Sequence, residues 1–512
     1  MTHSGTISPS QHTAPYADAL LATTGADWQR LNVPGHGADA TRASGLAALL
    51  GEAPLRLDVP PLVDGIDLGP DSPLDRARTL AAEAWGARRS WFLTNGASQG
   101  NRIAVLAARS LGDTLVVQRS VHSSVVDGLV LSGLRAAFVH PSVDPGLGIA
   151  HGVTAAGLAE ALAAHPDAAA AYVVTPSYFG AVADVEALAA TAHRAGVPLI
   201  VDEAWGSHFG FHPALPAGAL AHGADLVVSS THKLGGSLTQ SAMLHLGEGP
   251  FADRLEPQLE RIFHLTQSTS ASALLLASLD LARRALATGG PAIGESVEAA
   301  DRIRAGVRAA GRFAVVSDGF GAFPDIVAAD PLRVPIDTRR GGISGHHARS
   351  LLLTEHRIMV EVATDSAIVA VLGAGSAPDP SRFLAALHAL PGPPLVPAEP
   401  LAGPAGADTF GGPAAPGIRL PAPGPVRLTA RDAFLAPSVT VAAQRSVGRV
   451  SADTLAAYPP GIPNVLPGEV ITRELVEFLQ YTAATPGGHV RGAADPGVTT
   501  LRVVAEDPGR HH

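Results

Sequence analysis

The 512-residue chain has no cysteine, which excludes disulfides, thiol nucleophiles and thiolate metal sites in one step. That absence fits a reducing compartment. Long apolar runs are missing too: the Ala-rich stretches are interrupted, for example by His165, Pro166 and Asp167, before reaching the ~18 residues of a membrane helix. Residues 1–19 have no basic start followed by an apolar core, so no secretory signal is expected. No basic run of five or more occurs, and 36 Lys and Arg against 46 Asp and Glu leave a formal charge of −10. So mild an acidic balance argues against a nucleic-acid-binding surface. The expectation is a cytoplasmic protein acting on a small molecule, with no nucleic-acid or membrane partner and no metal. The excess of Ala, Gly and Pro, with only three Met, reflects compositional bias and carries no functional information.

The length allows about two to four domains. Across residues 90–246, short apolar runs alternate with longer helical patterns. The runs are 91–94, 114–118, 136–140, 170–174, 199–201, 226–229 and 242–246. Such alternation predicts an α/β fold, a mostly parallel sheet with helices packed on it. Helices are expected over 99–111, 153–164, 185–194, 271–287 and 295–309. Residues 1–45 read as an arm, with Pro34-Gly35-His36-Gly37 as a turn. Residues 391–425 are dense in Pro, Gly and Ala and read as a loop or linker, after which order returns. No internal repeat is present.

The chemistry concentrates at the ends of the predicted strands. Ser230-Thr231-His232-Lys233 follows the run 226–229, and Asp202-Glu203-Ala204-Trp205 follows the run 199–201. In an open parallel sheet, ligands sit at the carboxyl ends of the strands, so an amine and a carboxylate at two such ends can meet one molecule. Taken singly, each is an ordinary surface lysine or a turn aspartate. Thr94-Asn95-Gly96-Ala97-Ser98-Gln99 lies between the first strand and a helix, where free backbone amides suit a phosphate or simply cap the helix. His122 follows the second strand, and Thr175-Pro176-Ser177 follows the fourth.

These motifs, with Gln240 and the late Tyr458-Pro459-Pro460-Gly461-Ile462-Pro463 and Pro467-Gly468-Glu469, resemble the bacterial ornithine/lysine/arginine decarboxylases over residues 30–485. The resemblance implies pyridoxal 5'-phosphate as cofactor and a fold type I (aspartate aminotransferase-like) large domain with a seven-stranded sheet, plus a smaller α+β C-terminal domain. It implies an arm over 1–45, a cofactor-binding domain over 46–310, a small domain over 311–390, a linker over 391–425 and a C-terminal domain over 426–512. Lys233 would form the Schiff base and Asp202 would pair with the ring nitrogen. His122 would stack on the ring and Ala204 would touch its other face. Gly96, Ala97, Ser98, Gln99, Ser230 and His232 would surround the phosphate, with Thr175 and Trp205 completing the cofactor site. Ser268 and Thr269 resemble an element that reaches a neighbouring subunit's phosphate, implying a homodimer or higher homo-oligomer; Ala271 stands where the family has proline. Trp205 stands where many members have histidine, and no N-terminal wing domain is recognised.

The implied reaction is loss of carbon dioxide from arginine, lysine or ornithine, with Lys233 or His232 returning a proton to Cα. A basic substrate needs an acidic group at its far end, and Glu469 is the candidate. Its other reading is a neighbour of the cap of the following helix. The rival enzymes are an aminotransferase, with Arg339, Arg340 or Arg357 clamping the α-carboxylate, and a lyase acting at Cβ. The rival outside catalysis is an idle homologue that binds an amino acid.

Overall fold

The structure is a computed structural model describing residues 8–25, 28–392, 421–458, 462–485 and 488–505. Most of the linker expected at 391–425 lies outside the described residues, as do Pro459, Pro460 and Gly461 of the late motif. Among the described residues no helix is long and apolar enough to cross a membrane.

Seven strands form the main sheet: β1 (Arg89–Leu93), β2 (Thr114–Gln118), β3 (Arg135–Val139), β4 (Ala168–Val174), β5 (Leu199–Asp202), β6 (Leu226–Ser229) and β7 (Ala242–Leu246). Their order is β1-β7-β6-β5-β4-β2-β3. β7 runs antiparallel to both its neighbours, whereas β5 with β6, β2 with β4 and β2 with β3 are parallel. The mostly parallel α/β sheet expected from the alternation is therefore present. Its inner strands are apolar on both faces because both faces are covered. All four residues of β6 and all five of β7 are buried. Each buried Val or Leu contributes about 1.5–3 kcal/mol relative to exposure.

The chain forms two compact units that interleave in sequence. One contains residues 1–104, 200–296 and 373–377; the other contains 105–199, 297–372 and 378–512. In the first unit, the arm is a docked element: the helix Pro15–Thr23 buries Tyr16, Ala17 and Leu20 in a cluster with Phe92, Met243, Leu276 and Leu279. Asp280 accepts from the backbone amides of Tyr16 and Ala17 and pairs with Arg283 at 2.6 Å, both side chains fully buried. Arg283 in turn donates to the carbonyls of Gln11 and Thr13. A carboxylate at a helix start and a guanidinium on the preceding carbonyls satisfy backbone groups that have no helical partner.

The second unit carries a four-stranded antiparallel sheet, in which Arg333–Asp337 and Ala367–Val371 are central, and the C-terminal elements. There Leu455–Tyr458 pairs with Pro463–Val465 on one side and His489–Arg491 on the other. The helix Arg473–Ala484 covers an apolar cluster that includes Leu455, Val465, Leu475, Leu479 and Val490.

Helix boundaries differ from the periodicity by a few residues for local reasons. The helix expected at 99–111 spans Gly96–Ala108, beginning at a glycine with φ +73°, a conformation that favours residues without Cβ. Ser272 caps the helix Ala273–Thr288 by accepting from the Leu275 amide, which sets its start two residues later than expected.

Candidate active site

Lys233 and Asp202 both belong to the first unit, as do Asn95 to Asn101, Trp205 and Ser268 to Ser270. Asp202 is the last residue of β5 and pairs in register with Val228 of β6. Lys233 lies five residues beyond Val228, in the short helix Thr231–Leu234 that opens directly after β6. Parallel pairing thus places the carboxylate and the amine at adjacent strand ends.

Asp202 is buried and held from two sides. Asn101 Nδ2 donates to its Oδ2 at 2.9 Å, and the Ala204 amide donates to its Oδ1 at 3.0 Å. Burial pushes the carboxyl above its ordinary range, while Lys233 and these two donors oppose the shift. Lys233 Nζ sits 3.7 Å from the centroid of the Trp205 ring, a cation–π contact. Trp205, buried itself, is therefore a wall of the lysine's environment. His232 is pushed down to about 4, first by burial and second by the Lys233 charge, so its imidazole is neutral at neutral pH.

The turn Asn95-Gly96 sits beside Gln240, which has φ +76° and donates to Asn95 Oδ1 at 3.2 Å. Ala97 and Ser98 occupy the first turn of the helix Gly96–Ala108, where backbone amides face outward. Gly100 lets that helix approach the sheet: a Cβ there would lie 2.8 Å from Val228 Cγ1 and 3.1 Å from Leu93 Cδ1. Gln99 is buried and its amide nitrogen donates to Gln267 Oε1 at 3.0 Å, while Gln267 donates to Thr94 at 2.8 Å. Its side chain thus ties the helix to the segment before Ser268; its backbone amide is the group available to an anion. Ser230 is buried at the start of the lysine helix, and Ala204 is buried beside Asp202. Ser268 and Thr269 are exposed.

His122, Thr175 and Glu469 belong to the second unit. His122 caps the helix Ser123–Ser132: its Nδ1 accepts from the Ser124 amide at 3.2 Å, which puts the proton of a neutral ring on Nε2. Thr175 is buried, and its hydroxyl accepts from the Ala183 amide at 2.9 Å. Glu469, expected at the far end of a basic substrate, is buried and pairs with Arg119 at 3.0 Å while accepting from the Leu466 amide at 2.8 Å. Burial pushes its carboxyl up and Arg119 opposes that shift. Its charge is balanced inside the protein by Arg119. Of the arginines weighed for a carboxylate clamp, Arg339 is held by Asp337 at 2.7 Å. Among the described residues no cluster of His, Asp and Glu could hold a metal ion.

Three residues with clear parts in this geometry were missed in the sequence. Asn101 stands inside the motif that carries Gly96, and Arg119 stands three residues before His122. Glu203 is buried beside Asp202 and accepts from the Ala219 amide at 2.8 Å. The only signal available for each was its closeness in sequence to a strand end.

The amine, the buried carboxylate and the glycine turn occur in one order along the chain, and that order matches a family pattern. Residues 14–378 match the family model "Orn/Lys/Arg decarboxylase, major domain", and residues 428–488 match "Orn/Lys/Arg decarboxylase, C-terminal domain". The chain belongs to the Orn/Lys/Arg decarboxylase family. The arginine decarboxylase of Bacillus anthracis is 32% identical, with 97% of this chain and 98% of that protein covered. The arginine decarboxylase of Bacillus subtilis is 33% identical, with 97% and 99% covered. Among solved structures, lysine decarboxylase A from Pseudomonas aeruginosa superposes with a TM-score of 0.77 at 23% identity, covering 97% of this chain and 81% of that one. The constitutive lysine decarboxylase of Escherichia coli gives 0.75 at 21%, covering 96% and 82%. At those identities the two structures establish the shared fold of this decarboxylase family member.

Proposed function

We propose that this chain is a pyridoxal 5'-phosphate-dependent decarboxylase of a basic amino acid, with arginine the first substrate to test. The observation that carries the reading is the pair of strand ends: Lys233 against Trp205, and a buried Asp202 clamped by Asn101 and the Ala204 amide. The donor set fits the cofactor. An amine, a carboxylate lacking bulk water, and a helix N-terminus of small residues are what an aldehyde, a ring nitrogen and a phosphate require. Near-full-length likeness to proteins named arginine decarboxylase supports arginine over lysine and ornithine.

When bound, pyridoxal phosphate supplies an aldehyde that condenses with amines and a protonated ring that withdraws electrons from a breaking Cα bond. Lys233 would provide the amine that holds that aldehyde. Asp202 would keep a proton on the ring nitrogen, and Asn101 with the Ala204 amide fixes the carboxylate in place so that no reorganisation would be needed. Ala97 and Ser98 amides, with Ser230, would hold the phosphate. His232 is neutral at neutral pH, so Lys233 is the residue that would return a proton to Cα. His122, whose tautomer is set by the Ser124 amide, would be the residue that meets the ring face. Incubation with arginine should release equimolar carbon dioxide and the corresponding amine. Formation of a keto acid with pyridoxamine phosphate would overturn the reading in favour of an aminotransferase.

A cytoplasmic homodimer is part of this proposal. Trp28, Leu31, Val33, Leu49, Leu50 and Leu62 are exposed large apolar side chains within one stretch of chain, with Leu31 89% and Leu49 79% exposed. Exposed apolar surface of this kind marks association sites, and Ser268 and Thr269 are open to a neighbour. Sedimentation should give a dimer that Leu31→Asp with Leu49→Asp dissociates, with loss of activity. A wild-type protein fully active as a monomer would refute this.

A further inference from the structure

The residues on either side of His122 are gripped by one small sheet from the far end of the chain. Before it, Arg119 donates from Nη1 to the Pro463 carbonyl at 2.7 Å and from Nη2 to the Asn464 carbonyl at 3.3 Å. The same Nη2 pairs with Glu469 at 3.0 Å. After it, Ser123, the first residue of the helix that His122 caps, accepts from Arg491 Nη1 at 2.9 Å. Pro463 and Asn464 lie in one edge strand of the three-stranded sheet and Arg491 in the other, with Leu455–Tyr458 between them. Asn464 Oδ1 also accepts from the Ala457 amide at 2.8 Å, which locks the gripped strand to the central one. Both grips are therefore parts of a single hydrogen-bonded body.

We propose that this C-terminal sheet is the positioning element for His122, with Arg119, Glu469 and Arg491 as its positioning residues. The inference rests on the reading of His122 as the ring-stacking residue. Arg119 is buried, and its ion pair with Glu469 supplies the charge balance that lets a guanidinium sit under the loop carrying His122. Its backbone is fixed independently, since the Arg119 amide donates to the Val139 carbonyl at 2.8 Å. Release of the sheet would leave the strand intact and loosen the segment around His122, while Gln118 Nε2 still donates to Ser120 Oγ at 2.8 Å. Glu469 then serves as an internal counter-charge rather than as a substrate ligand.

The test is a set of double-mutant cycles on the purified holoenzyme. Pyridoxal 5'-phosphate affinity is read by absorbance after removal and re-addition of the cofactor, alongside kcat and KM for arginine. Arg491→Ala and Glu469→Gln should each weaken cofactor affinity and lower kcat by about tenfold or more, with little change in KM. Arg491→Lys should restore most of the affinity. In a His122→Ala background, both substitutions should change cofactor affinity by less than about twofold, because the group they position is gone. Full additivity with His122→Ala, or unchanged affinity in Arg491→Ala and Glu469→Gln alone, overturns the proposal. An inert His122→Ala would instead sink the stacking reading, and the positioning with it. Should Glu469→Gln fail to fold, Arg491→Ala still decides, since that side chain is exposed.

Discussion

Asp202→Asn is expected to lower kcat by about 10³-fold or more, roughly 4 kcal/mol in the barrier, while the protein still folds and retains cofactor. Asparagine keeps the size and the acceptor oxygen that the Ala204 amide uses at 3.0 Å, and Asn101 can turn its amide to meet the new side chain. The substitution therefore removes little but the charge. That charge is costly to bury: the carboxyl is pushed above its ordinary range by desolvation, opposed by Lys233, Asn101 and the Ala204 amide. A buried carboxylate kept beside a lysine at a strand end is the arrangement expected of a group that must meet a cation during turnover. Lys233→Ala, by contrast, should abolish both turnover and the covalently bound cofactor's visible absorbance. Spectra and kcat of the two variants separate the roles. An Asp202→Asn enzyme within about tenfold of wild type would refute the electron-withdrawing role of the Asp202–ring pair.

Glu203→Gln should stabilise the protein at alkaline pH and do little at acid pH. Glu203 is fully buried, and burial pushes its carboxyl up to about 8, with only the Ala219 amide opposing. In the unfolded chain the same group titrates near its ordinary value of 4.5. Between those two values the folded state binds a proton that the unfolded state does not, so stability falls as pH rises through the window. Below 4.5 the contribution is fully present; above about 8 it is lost. The loss is on the order of 4–5 kcal/mol at 1.36 kcal/mol per pKa unit. Glutamine keeps an acceptor for the Ala219 amide and carries no charge to desolvate, so the variant's stability should be flatter with pH. Apparent unfolding midpoints of both proteins at pH 5 and pH 9 check this. Parallel profiles for variant and wild type would sink the claim.

Much of the large sheet was legible in the sequence because parallel strands covered on both faces read as unbroken apolar runs. Leu226-Val227-Val228-Ser229 is such a run, and it became β6 with the same boundaries. Strand ends elsewhere moved by one or two residues, as where 136–140 became Arg135–Val139, because pairing partners decide where a ladder stops. The positions of Lys233 and Asp202 were legible for a related reason: each directly follows a strand, and topology fixes which edge of the sheet that is. The partners of those residues were not. Asn101 and Asp202 are 101 residues apart, and nothing in the spacing says that one donates to the other.

Glu469 shows the limit most plainly. Its place in a late motif suggested a carboxylate facing a basic substrate; the structure adds two protein partners that the motif did not announce, Arg119 and the Leu466 amide. Whether a carboxylate faces ligand or protein depends on what covers it, and the cover comes from Arg119, 350 residues away. At the N-terminal arm the same holds: Tyr16 and Leu20 sit in a short Ala- and Leu-rich stretch, and only the structure shows that they close a cluster with Leu276 and Leu279.

By itself, then, the sequence determined the order of strands and helices, the amine and the carboxylate at the ends of two strands, and membership of a decarboxylase family. These follow from local apolar periodicity and from residues that stand next to it. Tertiary structure alone decided which charges are buried and what balances them: Asn101 on Asp202, Trp205 under Lys233, Ala219 on Glu203 and Arg119 on Glu469. Desolvation of a charge depends on every element packed against it, and a sequence lists those elements without placing them.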